Sequence, residues 1–277
     1  MAAGIAVQAQ TQALPEIIDT HIHIYDPARG EGVPWPPQTE PVLYKPHLAE
    51  DFRNATQGLG VSRAVIVEAS SWLEDNQWIL DRCEEDSIFA GVVGNLPVGK
   101  PAFAASLDRF RRNPRFKGIR LNSTALPDAV NDLKLLAQTG LALDVIGGPE
   151  LVARVADVAA KIPTLRIVID HLPLYPSVPL DSLKGAQNVY AKVSGVLRRM
   201  PDGKVPASVE AYRPALDELW STFGSERLIY ASNWPVSNRL APYATVLKVV
   251  RAYVSARGGT AQRAFFAGNA RRLYRLG

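Results

Sequence analysis

The 277-residue chain has one cysteine, four histidines and two methionines. No apolar run approaches the roughly 18 residues that a membrane helix needs, so no membrane partner is expected. A lone cysteine excludes an intrachain disulfide framework. Cys83 lies in ILDRCEED, an amphipathic helical pattern, and reads as a packing residue. The excess of basic over acidic residues is small, 31 against 27, for a net charge of +4. The basic pairs Arg111-Arg112, Arg198-Arg199 and Arg271-Arg272 are scattered and form no stripe interleaved with aromatics, so nucleic acid is not an expected partner. No G-x-G-x-x-G follows a strand-like run, which leaves a dinucleotide site unsupported. The opening MAAGIAVQAQTQA lacks a basic start and a full apolar core, yet ends in an A-x-A-like pattern. Residues 1–15 therefore read as a flexible segment and as the remnant of a secretory signal. The compartment follows from that choice: cytoplasmic, or periplasmic with the remnant.

Apolar residues, at 47%, suffice for a large core. Eight short runs read as strands: Glu16–Ile24, Ser62–Ala69, Ile88–Leu96, Phe116–Asn122, Leu141–Ile146, Leu165–His171, Asn188–Gly195 and Arg227–Asn233. Runs such as AVIV and RIVI are apolar throughout, as strands covered on both faces require. Helical patterns alternate with them, at His47–Leu59, Glu74–Asp86, Ala102–Arg112, Ala129–Gln138, Glu150–Lys161, Ala207–Phe223 and Pro242–Arg257. Only the short Leu180–Ala186 stands between the sixth and seventh strands, and Thr260–Tyr274 closes the chain. Gly58, Gly60, Gly140 and Gly224 stand where helix C-caps are expected. Eight strand–helix units in one chain of this length, with no composition break, predict a single (β/α)8 TIM barrel over residues 16–277.

Barrel enzymes place their chemistry at the C-terminal strand ends. Three of the four histidines fall there: His21 and His23 on the first strand, His171 on the sixth. Spacing by two puts Asp19, His21 and His23 on one strand face and Ile18, Thr20, Ile22 and Ile24 on the other. Two imidazoles so placed can chelate one metal ion or bracket a substrate carbonyl. Their alternative is a pair of satisfied core histidines. Charged and polar residues recur on other strands: Glu68, Arg120, Asp144, Lys192, Ser194 and Asn233. Burial of such groups demands pairing or use, and for Asp144 and Lys192 an ion pair is as good a reading as a functional one. His47, after Pro46 at a helix start, reads as non-catalytic. The Pro- and Gly-rich loop 25–46 reads as a lid, with Trp35 and Tyr44 as substrate contacts.

The segments IIDTHIHIYDP, FKGIRLN, IVIDHL, NVYAKVSG, LIYASNWPV and FFAGNARRLYRL, in this order, resemble the amidohydrolase-related group of the amidohydrolase superfamily. The resemblance runs from about Glu16 to Tyr274. Among this group are lactonases acting on 2-pyrone-4,6-dicarboxylate and fuconolactone, and aromatic-acid decarboxylases. It implies that His21, His23 and His171 ligate one divalent metal such as zinc, or polarise the substrate carbonyl without metal. The position of Asn233 is usually an aspartate that serves as general base. An amide cannot take that proton at neutral pH. Glu68 is then the first candidate for the missing carboxylate and His171 the second. Arg120 would grip a substrate carboxylate with its planar fork. The expected function is hydrolysis of a small lactone. Metal-dependent decarboxylation and a non-catalytic barrel binding a small carboxylate or sugar acid are the alternatives.

Overall fold

The computed structural model describes residues 16–172 and 178–277. The predicted flexible or signal-derived character of residues 1–15 lies outside the described residues. Eight parallel strands pair in sequential order: β1 (Ile17–Ile22), β2 (Val61–Val67), β3 (Phe89–Gly94), β4 (Phe116–Asn122), β5 (Ala142–Ile146), β6 (Ile167–Leu172), β7 (Val189–Val193) and β8 (Leu228–Tyr230). The ring closes just above β8. There Asn233 N donates to the His21 carbonyl at 2.9 Å and His23 N to the Trp234 carbonyl at 2.8 Å. The predicted (β/α)8 barrel is the observed fold.

Helices α1 (Ala49–Thr56), α2 (Asp75–Glu85), α3 (Phe103–Phe110), α4 (Val130–Thr139), α5 (Leu151–Lys161), α6 (Arg213–Phe223) and α7 (Tyr243–Ser255) cover the outside. Between β6 and β7 the described residues form only one short 3-10 turn, Asp181–Leu183. Gly140 ends α4 in the left-handed conformation at φ 73°, which an L residue adopts at a cost. The predicted last helix is divided into α8 (Gly259–Arg263), a π-turn (Ala264–Gly268) and α9 (Asn269–Tyr274).

Two apolar clusters show which way each strand residue faces. The larger unites Ile17, Ile22, Ala64, Ile66, Leu143, Val145, Ile167 and Ile169 with the outer helices. The smaller unites Ile18, Val65, Val67, Val93, Ala142, Val168 and Ile229 with Leu273, Tyr274 and Leu276. The alternating residues thus fill the barrel, and the C-terminal helix plugs one end of it. Cys83 is buried against the outer layer, and burial pushes its thiol up to about 11, consistent with a packing role.

Candidate active site

Strict alternation along β1 would put Asp19 beside the histidines. The structure departs from this. A register shift between Asp19 and Ile22 breaks the two-residue period. Ile18 faces the barrel interior, whereas Asp19 turns outward. Its carboxylate accepts from Ser232 N at 2.9 Å, His21 N at 3.1 Å and the Tyr243 hydroxyl of α7 at 2.9 Å. Asp19 therefore ties β1 to the strand-8 end and to α7. Burial nevertheless pushes its pKa up to about 6.

The same device operates on β6. His171 has φ 58°, and the register shifts between Ile169 and Leu172. Adjacent residues normally face opposite ways; here Asp170 and His171 both turn to the interior. Asn233 is also left-handed, at φ 60°. Such backbone costs about 1–3 kcal/mol per residue and gathers at functional sites. Asn and His are among the side chains that tolerate it best.

The three strand-end histidines converge. The His21 ring centroid lies 4.9 Å from that of His23 and 4.4 Å from that of His171. One tautomer can be read from its partner. His23 Nδ1 is 2.9 Å from the Val67 carbonyl, which only accepts, so Nδ1 carries the proton and Nε2 a lone pair. His171 Nδ1 lies 3.2 Å from Ser194 Oγ, which can either donate or accept. Burial drives the His23 pKa down to about 3 and the His171 pKa to about 4. Both rings are neutral at pH 7.

Beneath the histidines lies a buried charge network that was only half legible in the sequence. Lys192, fully buried, donates to Asp144 Oδ2 at 2.5 Å and sits 2.9 Å from Asp170 Oδ1. The Tyr274 hydroxyl lies 2.9 Å from each oxygen of Asp144. Burial pushes Asp144 up to about 7. Asp170 is also pushed up by burial, but Lys192 and His21 outweigh this and hold it well below the usual carboxylate range.

Above the histidines a cavity of about 230 Å³ is lined by His23, Trp35, Ala69, Arg120, Ile146, His171, Asn233 and Val236. Trp35 of the predicted lid stands 5.9 Å from the His23 ring. Tyr44 is not among the lining residues. Neither is Glu68, whose carboxylate accepts from Arg120 Nε at 2.8 Å while Arg120 Nη2 donates to its backbone carbonyl at 2.7 Å. His47 is buried rather than at the surface, edge-on to Trp234 and Tyr25, and stands outside the cavity lining.

The donor chemistry fits a small cation. One atom each from His21, Asp170 and His171 lie within 4.8 Å of one another. His21 Nε2 and both Asp170 oxygens are buried with no hydrogen-bond partner, and Asn233 Oδ1 is likewise unpartnered. Lys192 Nζ, 2.9 Å from Asp170 Oδ1, forms an ion pair with it. This cluster shares His21 and His171 with the expected trio of His21, His23 and His171, and its third member is Asp170. Sequence alternation hid it, because a residue preceding an inward histidine should face outward.

A sequence profile of the family described as amidohydrolase matches residues 18–276. L-fucono-1,5-lactonase of Burkholderia ambifaria is 32% identical over 241 residues, 81% of each chain. An amidohydrolase from Burkholderia multivorans solved with bound zinc superposes with a TM-score of 0.84 at 22% identity, covering 95% of this chain and 100% of that one. A probable 2-pyrone-4,6-dicarboxylic acid hydrolase from Acinetobacter baumannii, solved with citric acid, gives a TM-score of 0.72 at 16% identity, over 94% and 100% of the two chains. At those identities the two structures speak for the fold alone.

Proposed function

This chain belongs to the amidohydrolase family, and from that premise we propose that it hydrolyses a small, uncharged lactone of the sugar-acid type. The observation that carries this reading is the charge balance of the cavity. Arg120 is its only charged lining residue among those described, and Glu68 is already bound to it. A substrate with one or two carboxylates would have to compete with Glu68 for that guanidinium. An uncharged, hydroxyl-rich ring needs only the remaining N–H groups. The volume, below the roughly 300–1,000 Å³ of drug-sized sites, suits a single small ring. The similarity to an L-fucono-1,5-lactonase supports the same class.

The proposed roles follow from the donors and acceptors. Trp35 forms an apolar wall against one face of the ring, and Arg120 fixes a ring or hydroxyl oxygen. The amide oxygen of Asn233, a residue that lines this cavity, has no partner, and it accepts a hydrogen bond from the attacking water and orients it. His23 presents the Nε2 lone pair, takes a proton from that water as it adds to the carbonyl, and returns it to the ring oxygen as the C–O bond breaks. Its low pKa keeps it unprotonated through the neutral range. Glu68, engaged by Arg120, acts by orienting the guanidinium rather than as the base. His21, Asp170 and His171 would hold a divalent cation such as zinc, which as a Lewis acid would stabilise the carbonyl oxygen as it becomes negative.

The test is proton release, followed with a pH indicator, from purified protein given uncharged aldonolactones and, in parallel, anionic lactones such as a pyrone dicarboxylate. Faster turnover of the uncharged set is expected. Preference for the anionic set, or no turnover of either, would overturn the reading.

A further inference from the structure

His21 has two ring nitrogens with different fates. Nε2 is buried and unpartnered, while Nδ1 lies 3.2 Å from Lys192 Nζ and 3.4 Å from Asp170 Oδ1. The second distance exceeds the range of an N–H···O hydrogen bond, so Lys192 is the closer partner. An ammonium group is a donor only. His21 Nδ1 must then accept, which leaves the ring proton on Nε2. To offer a metal the Nε2 lone pair, the ring must first carry its proton on Nδ1, at the cost of the Lys192 contact.

The position of Lys192 works in the same direction. Its ammonium lies 2.9 Å from Asp170 and 3.2 Å from His21, two of the three clustered donors. Asp144 draws it from the other side, and the Tyr274 hydroxyl of the C-terminal helix anchors Asp144. A fixed positive charge at this range repels a second cation and already compensates the Asp170 carboxylate. We propose that Lys192 is the resident cation of this site: a positioning residue that holds the His21 proton on Nε2 and keeps the affinity for a divalent metal low.

This inference rests on the reading of His21, Asp170 and His171 as the metal-binding cluster, and it makes a claim of its own about His21. Two measurements separate them. The first uses the unaltered, metal-stripped protein with nitrogen-labelled histidine, where NMR reports which ring nitrogen of His21 is protonated; His21→Gln assigns the signal. Protonated Nε2 is expected, and protonated Nδ1 would overturn the proposal even if zinc binds. The second is zinc affinity, measured by competition with a chromophoric chelator. The double variant Lys192→Met/Asp144→Asn removes the ammonium together with one of its two carboxylate partners, and leaves Asp170 as the buried charge that a bound metal would compensate. It is expected to bind zinc at least tenfold more tightly than the unaltered chain. Equal or weaker binding by the variant would overturn the proposal. Absence of zinc binding in both proteins would overturn the metal reading of the cluster and the claim on affinity with it, while the NMR result would still decide the tautomer.

Discussion

Asp19→Asn should stabilise the protein, and only above mildly acidic pH. Asp19 is fully buried, and its Oδ1 accepts from the backbone N–H groups of Ser232 and His21. Asparagine keeps that oxygen. Its amide group would take the place of Oδ2 and donate to the Tyr243 hydroxyl, which can accept instead of donating. The substitution therefore removes a buried charge, and the Ser232 side chain, which also bonds the carboxylate, can keep Oδ1 as its acceptor. Burial raises the Asp19 pKa from the usual 3.8 to about 6. Between those values the folded state binds the proton more tightly than the unfolded chain, so stability falls as pH rises through the window. Above pH 6 the whole cost is present, about 3 kcal/mol at roughly 1.4 kcal/mol per pH unit. The gap in stability between Asp19→Asn and the unaltered protein should thus be near zero at pH 4 and reach about 3 kcal/mol by pH 7. In melting temperature this is roughly 5 °C or more. Urea denaturation at a series of pH values measures the gap directly, and the opposing contributions of His23 and His171 cancel between the two proteins. A gap that stays flat with pH, or a variant less stable at pH 7, would refute the burial argument.

Three further outcomes follow. Glu68→Gln leaves the Arg120 charge uncompensated, so the KM for an uncharged lactone should rise several-fold while an anionic lactone becomes a better substrate. Steady-state kinetics on both checks this, and a total loss of turnover with KM unchanged would instead mark Glu68 as the base. His47→Ala should lower stability by about 2 kcal/mol through lost packing on Trp234 and Tyr25, yet leave turnover within a few-fold; a loss as deep as that of His23→Ala would contradict its place outside the cavity. Tyr274→Phe removes a hydroxyl bonded to the buried Asp144 and should cost about 1.5–3 kcal/mol in chemical denaturation. No measurable change would mean that the C-terminal plug does not support the charge network.

The strand–helix rhythm of the barrel and the convergence of His21, His23 and His171 were legible because period and position along the chain encode them. What was not legible arises where the period breaks. The register shift on β1 sends Asp19 out to Tyr243, and the left-handed backbone at His171 brings Asp170 in. Both depend on closing a ring of strands, a condition no local pattern records. The pairing of Glu68 with Arg120 joins residues 52 apart in sequence, across strands β2 and β4. The sequence named both residues and left open whether they met. Lys192 and Asp144 were equally balanced between structure and function, and their distances to Asp170 and His21 were needed to connect them to the site.

The most direct test of the central claim is a comparison of kcat/KM for one uncharged sugar lactone in the unaltered protein and in His23→Ala, with folding checked by circular dichroism. The account predicts measurable turnover in the first and a loss on the order of a hundredfold or more in the second, as removal of a general base entails. An unaltered protein that turns over no uncharged lactone, or a folded His23→Ala variant of near-equal activity, would contradict it.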